Sequence, residues 1–116
     1  MIWFLIKNIF TIIDVIVWNK KTFSLSTKIS QCKKFREEIN ELNQTKFKSK
    51  KYFKELADCY IVSFGMFRFD FKLAISFLKY LDYYNCDSEI ISKTIKEKMK
   101  TNKKREWKYV NGTYHH

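Results

Sequence analysis

The chain of 116 residues contains no proline, and its only glycines are Gly65 and Gly112. These two residue types most often end helices, form tight turns and build the loops that bind phosphate. A chain without them makes few sharp corners, so long helices joined by short polar segments are favoured. The sequence therefore predicts an all-α fold, and its length is that of one domain.

Periodicity along the chain divides it into four predicted parts. An N-terminal hydrophobic helix over residues 1–18 is followed by a polar linker over residues 19–28. Residues 29–100 are predicted to form a small antiparallel helical bundle or hairpin, and residues 101–116 a basic C-terminal arm. Apolar residues make up 46% of the chain, which is enough for a packed core to oppose chain entropy.

The first eighteen residues are almost entirely apolar, and their four polar interruptions share one face of a helix. This polar stripe is predicted to face helices of another subunit, and it consists of Lys7, Asn8, Thr11 and Asp14. Eleven Ile, Leu, Phe and Val residues contribute roughly −3 to −7 kcal/mol to the free energy of insertion into a bilayer, whereas Lys7 and Asp14 cost roughly +5 to +7 kcal/mol. Insertion of this helix on its own is therefore marginal. The helix is therefore expected to span a membrane beside partner helices, to lie on a membrane, or to pack into protein.

Helical periodicity continues after the linker. One apolar seam predicts a helix over residues 28–44, formed by Ile29, Cys32, Phe35, Ile39 and Leu42. The next helix is predicted to begin near Ser49. Asp70 is suited to cap the helix after that, and Asp87 or Ser88 to cap the last one.

Positive charge is concentrated in two segments. The net charge is +11; residues 19–55 carry 11 basic and 4 acidic side chains, and residues 88–116 carry 8 and 3. Such segments favour binding to a polyanion such as RNA or to an anionic lipid surface. Nearly all the positive charge is lysine, so contact with phosphate is expected rather than reading of bases. The predicted polyanion contacts are Lys46, Lys48, Lys50, Lys51, Lys103, Lys104, Arg105, Trp107 and Lys108.

A catalytic site is not expected. The only histidines are the last two residues, His115 and His116, where a fixed catalytic geometry is hard to maintain. The chain has no phosphate-binding loop, dinucleotide fingerprint, nucleophile elbow or zinc-protease motif. Acidic residues in the middle of the chain are interpreted as helix-surface pairs or polar faces: Glu37, Glu38, Glu41, Asp58 and Asp82. The prediction is a non-enzyme with no cofactor, no metal and no small-molecule substrate.

The three cysteines are Cys32, Cys59 and Cys86. Their even spacing, without a CxxC pair or a nearby histidine, is not a metal pattern. They are expected to be free and to behave as small buried hydrophobes in a reducing compartment.

Three functional hypotheses follow. The first is a non-catalytic accessory subunit of a large membrane-associated assembly, such as a respiratory complex of the mitochondrial inner membrane. Its N-terminal helix would anchor it among other protein subunits, with the basic part on the matrix side. The alternative is a small basic component of the ribosome or another ribonucleoprotein particle, which binds RNA through its lysine-rich arms. The third is a soluble helical adaptor whose apolar first helix completes its own core, and the ribosome or the cytoplasm is the alternative location to the membrane.

Overall fold

A computed structural model describes all residues from 1 to 116 and confirms a mostly helical fold. Six helices are followed by one short antiparallel strand pair. Their bounds are α1 Ile2–Lys7, α2 Ile9–Thr22, α3 Lys28–Asn43, α4 Lys50–Met66, α5 Phe71–Asp82, α6 Ser88–Lys104, β1 Lys108–Val110 and β2 Thr113–His115.

Four helices begin where side-chain caps predict. Thr27 forms a reciprocal capping box with Ser30 at the start of α3. Ser49, Asp70 and Asp87 each accept a hydrogen bond from a backbone N–H in the first turn of α4, α5 and α6, respectively. Because these bonds satisfy donors that a helix start otherwise leaves free, they set the points at which the helices begin.

The core is organised around α4. From Leu56 to Met66 nearly every residue of this helix is buried, as expected for a segment that is apolar on all its faces. Helices α2, α3, α5 and α6 all pack against it. Gln31, near the start of α3, donates a 2.8 Å hydrogen bond to the carbonyl of Val62, so α3 and α4 are antiparallel. Tyr52, at the start of α4, bonds to the Tyr84 carbonyl just before α6, so these two helices run in the same direction.

The prediction of one uninterrupted apolar helix over residues 1–18 is wrong. The structure has two helices, which separate at Asn8. The Asn8 side chain donates to the carbonyl of Phe4 at 2.8 Å and to the Ser92 hydroxyl of α6 at 3.0 Å. Because a short amide side chain competes with the backbone for hydrogen bonds, it disturbs the helix at this point. None of the six helices has both the length and the apolar composition that a membrane span requires.

Residues 101–116, predicted to form a basic arm, instead form the end of α6 and a short strand hairpin. Helix α6 extends to Lys104, and the strands that follow are joined by a turn at Asn111 and Gly112, whose φ angles are 51° and 82°. Positive φ at both positions is the geometry that an Asn-Gly hairpin turn provides. The hairpin folds back on the C-terminal end of α2, because Tyr114 of β2 packs on Phe23 at 4.8 Å and Trp107, just before β1, packs edge-to-face on Phe23 at 5.0 Å.

All three cysteines are free, as predicted. Their expected burial is confirmed only for Cys59, while Cys32 is half-buried and Cys86 is exposed. Burial of Cys59 in the core raises the pKa of its thiol far above the ordinary value, because the thiolate would lose its hydration there.

Candidate functional site

An exposed apolar surface runs along α1 and α2. It is called here the apolar face, and it consists of Ile2, Trp3 and Ile6 of α1 and Ile9, Phe10, Ile13 and Val17 of α2. Phe10 is 84% exposed and Trp3 is 79% exposed. The opposite sides of the same helices supply core residues, including Phe4, Ile12 and Val15.

The apolar face follows from the sequence pattern. At about 100° per residue, its members fall on one arc of a helical wheel, and the core residues fall on the other side. Since the segment is apolar on both sides, the rest of this chain covers only one of them. Together the exposed parts amount to on the order of 800 Å², taking about 200 Å² for a whole large apolar residue. Exposed apolar patches on monomeric proteins seldom exceed a few hundred Å².

Positive charge borders the apolar face. Lys7 lies at the end of α1, and Lys20 and Lys21 lie in the last turn of α2; all three are exposed. Two acidic residues lie in this region: Asp14 forms a 2.8 Å ion pair with Lys103 of α6, and Asp82 of α5 lies 3.9 Å from the N-terminal ammonium of Met1. The free charges at the rim are therefore cationic.

The predicted partner-helix stripe meets a helix of its own chain. Asn8 is buried against Ser92, and Asp14 is paired with Lys103, so both contact α6. Thr11 is half-buried and Lys7 is exposed. Contact of these residues with a helix of another protein stays a prediction.

The predicted polyanion contacts are divided between opposite ends of the molecule. One group lies at the α3–α4 connection and the start of α4, and all its members are exposed: Lys46, Lys48, Lys50 and Lys51. The other group begins in the last turn of α6. Because α4 and α6 run in the same direction over 17 residues each, about 25 Å separates the two groups.

Within the second group, the structure leaves only some residues free. Lys104 and Lys108 are exposed, whereas Lys103 is paired with Asp14. Arg105 donates to the Asn102 side chain. Trp107 donates from its indole nitrogen to the Asn102 carbonyl at 3.0 Å and packs in an aromatic cluster. Its ring is therefore not presented for stacking on a base.

A polar cavity of about 350 Å³ lies between α3, α4, α6 and the C-terminal hairpin. We call it the carboxylate cavity. Glu38 of α3 and Glu55 and Asp58 of α4 place carboxylate oxygens within 4.8 Å of one another there. The complete lining is Lys34, Glu38, Glu41, Glu55, Asp58, Lys98, Arg105, His115 and His116.

Three carboxyl groups of this cavity have raised pKa values. Burial, reinforced by the charge of Asp58, raises the pKa of Glu38 to about 8. Burial and the nearby carboxyl groups of Glu41 and Asp58 raise the pKa of Glu55 to about 7. The pKa of Asp58 is also raised by burial, although Lys98 opposes the shift from 3.2 Å. At neutral pH the cluster therefore retains protons that exposed carboxyl groups would release.

Sequence reasoning missed this cavity. It interpreted Glu38 as a helix-surface partner of Lys34, and the two do approach to 3.7 Å, but the side chain points inward. The available signal was a pair of acidic residues three positions apart on each of two consecutive helices: Glu38 and Glu41, then Glu55 and Asp58.

Comparison with family models, curated proteins and solved structures found no match for this chain. The function is therefore inferred from the structure alone, in which the carboxyl groups of the carboxylate cavity are chemically suited to hold a cation or shared protons.

Proposed function

We propose that the protein is a non-catalytic, peripheral membrane-binding protein that rests its apolar face on an anionic lipid surface and serves a membrane-associated assembly as an accessory subunit. The observation that carries the proposal is the combination of the exposed apolar face with the three lysines at its rim. Aromatic residues such as Trp3 and Phe10 favour the boundary between headgroups and acyl chains. Lysines beside them are attracted to anionic headgroups.

The energetics support this attachment. Complete burial of a phenylalanine side chain contributes about 2.5 kcal/mol, so Phe10, at 84% exposure, contributes about 2 kcal/mol on entering the interface. Each lysine near an anionic membrane surface adds about 1 kcal/mol. Trp3 and the five aliphatic members of the apolar face add further to the total.

The apolar face is also preorganised. The inner sides of α1 and α2 belong to the hydrophobic core, so both helices exist before a surface is met. Binding then costs no helix formation, in contrast to a disordered segment that folds on contact. This rigidity suits a subunit that holds a fixed orientation on a membrane.

Flotation with lipid vesicles tests the proposal. The protein is expected to float with vesicles of phosphatidylcholine and phosphatidylserine, and much less with phosphatidylcholine alone. Tryptophan emission should shift to shorter wavelength on binding, because Trp3 is the exposed tryptophan while Trp18 and Trp107 are packed together. Trp3→Phe should remove the shift and keep flotation.

Variants locate the contact. Phe10→Ala should weaken binding about 30-fold, since about 2 kcal/mol is lost. Phe71→Ala is the matched control, because Phe71 is 68% exposed but lies on α5. Equal effects of the two variants, or no flotation of the unaltered protein, would refute the proposal. Binding to single-stranded RNA that Lys50→Glu with Lys51→Glu abolishes, without flotation, would support the ribonucleoprotein alternative instead.

A further inference from the structure

We propose that the carboxylate cavity is a binding site for one divalent metal ion that prefers carboxylate oxygens, of the size of Mg²⁺ or Mn²⁺, held by Glu38 of α3 and by Glu55 and Asp58 of α4. The three side chains already converge, with one oxygen of each within 4.8 Å of the others. Oxygens bound at about 2.1 Å on opposite sides of such an ion lie about 4.2 Å apart. Only small side-chain adjustments are therefore needed.

Unsatisfied buried oxygens point to a ligand. The Glu38 side chain is only 10% exposed, and its Oε2 atom has no hydrogen-bond partner. Oε2 of Glu55 is likewise buried without a partner. Buried carboxylate oxygens in this condition carry a high free-energy cost, which a divalent cation among them would offset.

The neighbouring cations do not fill this role. Lys98 donates to Oδ2 of Asp58, and Lys34 lies between Glu37 and Glu38 at 3.8 and 3.7 Å, beyond hydrogen-bond distance. Arg105 directs its guanidinium group at Asn102 and at the His116 ring. Two glutamate oxygens in the cavity therefore stay free to bind an ion.

A metal ion at this position would have a structural effect. Glu38 belongs to α3, and the other two ligands belong to α4, so one ion joins two helices that are connected by an exposed loop. The C-terminal hairpin contributes His115 and His116 to the cavity wall. An ion would thus stabilise the bundle, and Mn²⁺ should raise the melting temperature of the full chain.

Titration of the EDTA-treated full-length protein with Mn²⁺, followed by the electron paramagnetic resonance signal of free Mn²⁺, tests the site. We expect one ion per chain, a rise in melting temperature, and an affinity loss of at least about tenfold in Glu38→Gln and in Glu55→Gln. Glu37→Gln is the matched control, because Glu37 lies beside Glu38 on the same helix but outside the cavity.

Two results would overturn the inference. One is the absence of stoichiometric binding by the unaltered protein. The other is binding that Glu38→Gln and Glu55→Gln leave unchanged while His115→Ala with His116→Ala removes it, which would place the ion on the terminal histidines alone. Glutamine keeps the shape of glutamate, and melting of each variant in EDTA verifies that it folds. Loss of vesicle flotation would not affect this result, because the apolar face lies on other helices.

Discussion

Gly65→Ala is expected to destabilise the protein although it places a better helix former inside α4. Gly65 is buried where α2 and α3 approach that helix. A methyl group there would stand 2.7 Å from the side-chain nitrogen of Asn19 and 2.7 Å from that of Gln31. Both distances are too short for a carbon atom, so both amides would have to move.

The magnitude follows from what holds these amides. Gln31 donates to the Val62 carbonyl at 2.8 Å, and Asn19 accepts from Arg68 at 2.8 Å. Displacing them costs about 1–3 kcal/mol for overpacking and about 1 kcal/mol for a weakened buried hydrogen bond. Replacing glycine by alanine in a helix gains about 1 kcal/mol. The free energy of unfolding should therefore fall by about 2 kcal/mol, which lowers the melting temperature by about 8 °C.

Urea denaturation followed by circular dichroism measures this change. Ser76→Ala on the exposed side of α5 is the control, since it raises helix propensity and removes only an exposed hydrogen bond to the Lys72 carbonyl. A gain in stability of about 1 kcal/mol in Gly65→Ala, the value expected from propensity alone, would show that the amides of Asn19 and Gln31 leave room for the added methyl group.

Three further predictions concern caps, charge and the hairpin. The Lys28 ammonium and backbone N–H groups lower the pKa of Asp70. The Asp70 carboxylate therefore stabilises the fold fully at pH values above its ordinary pKa of 3.8, and this stabilisation is lost as the pH falls through the lowered pKa. Asp70→Asn keeps a cap without charge, so the stability difference between the two proteins should shrink in acid titrations below about pH 4; a constant difference would contradict this. Asp87→Ala should cost about 1 kcal/mol of unfolding free energy in urea melts, because α6 loses its N-cap, and an unchanged midpoint would be the contrary result. Trp107→Ala should release the hairpin, giving faster trypsin cleavage at Lys108 with a global loss of about 1–2 kcal/mol; cleavage at the rate of the unaltered protein would show that other contacts hold the hairpin.

Local signals in the sequence account for most of the helices. Scarcity of proline and glycine leaves helix as the favoured state. The caps at Ser49, Asp70 and Asp87 act within a single turn, so a linear reading can locate them. The seam of α3 was predicted less accurately, since Ile29 is 81% exposed whereas Phe35 and Leu42 are buried.

One local signal was overlooked. Asn111-Gly112 between short runs of β-favouring residues is the common two-residue hairpin turn, and the structure forms it with positive φ at both residues. The basic composition of the surrounding segment hid this pattern. The hairpin stays in place because Trp107 and Tyr114 contact Phe23, a residue that is distant in sequence.

The local sequence thus determines where the capped helices start, because a cap depends only on residues within one turn. It also makes α4 apolar enough to lie at the centre of the core, because burial preference is a property of the residues themselves. Three properties depend on long-range packing. These are which side of α1 and α2 is covered, which helix contacts the polar stripe, and whether the Glu38 side chain is exposed to solvent or buried beside Glu55. A periodic pattern states which residues share a face, but not what that face meets. The side chains that form the apolar face and the carboxylate cavity acquire their exposure and their raised pKa values only when α2, α3 and α6 assemble around α4.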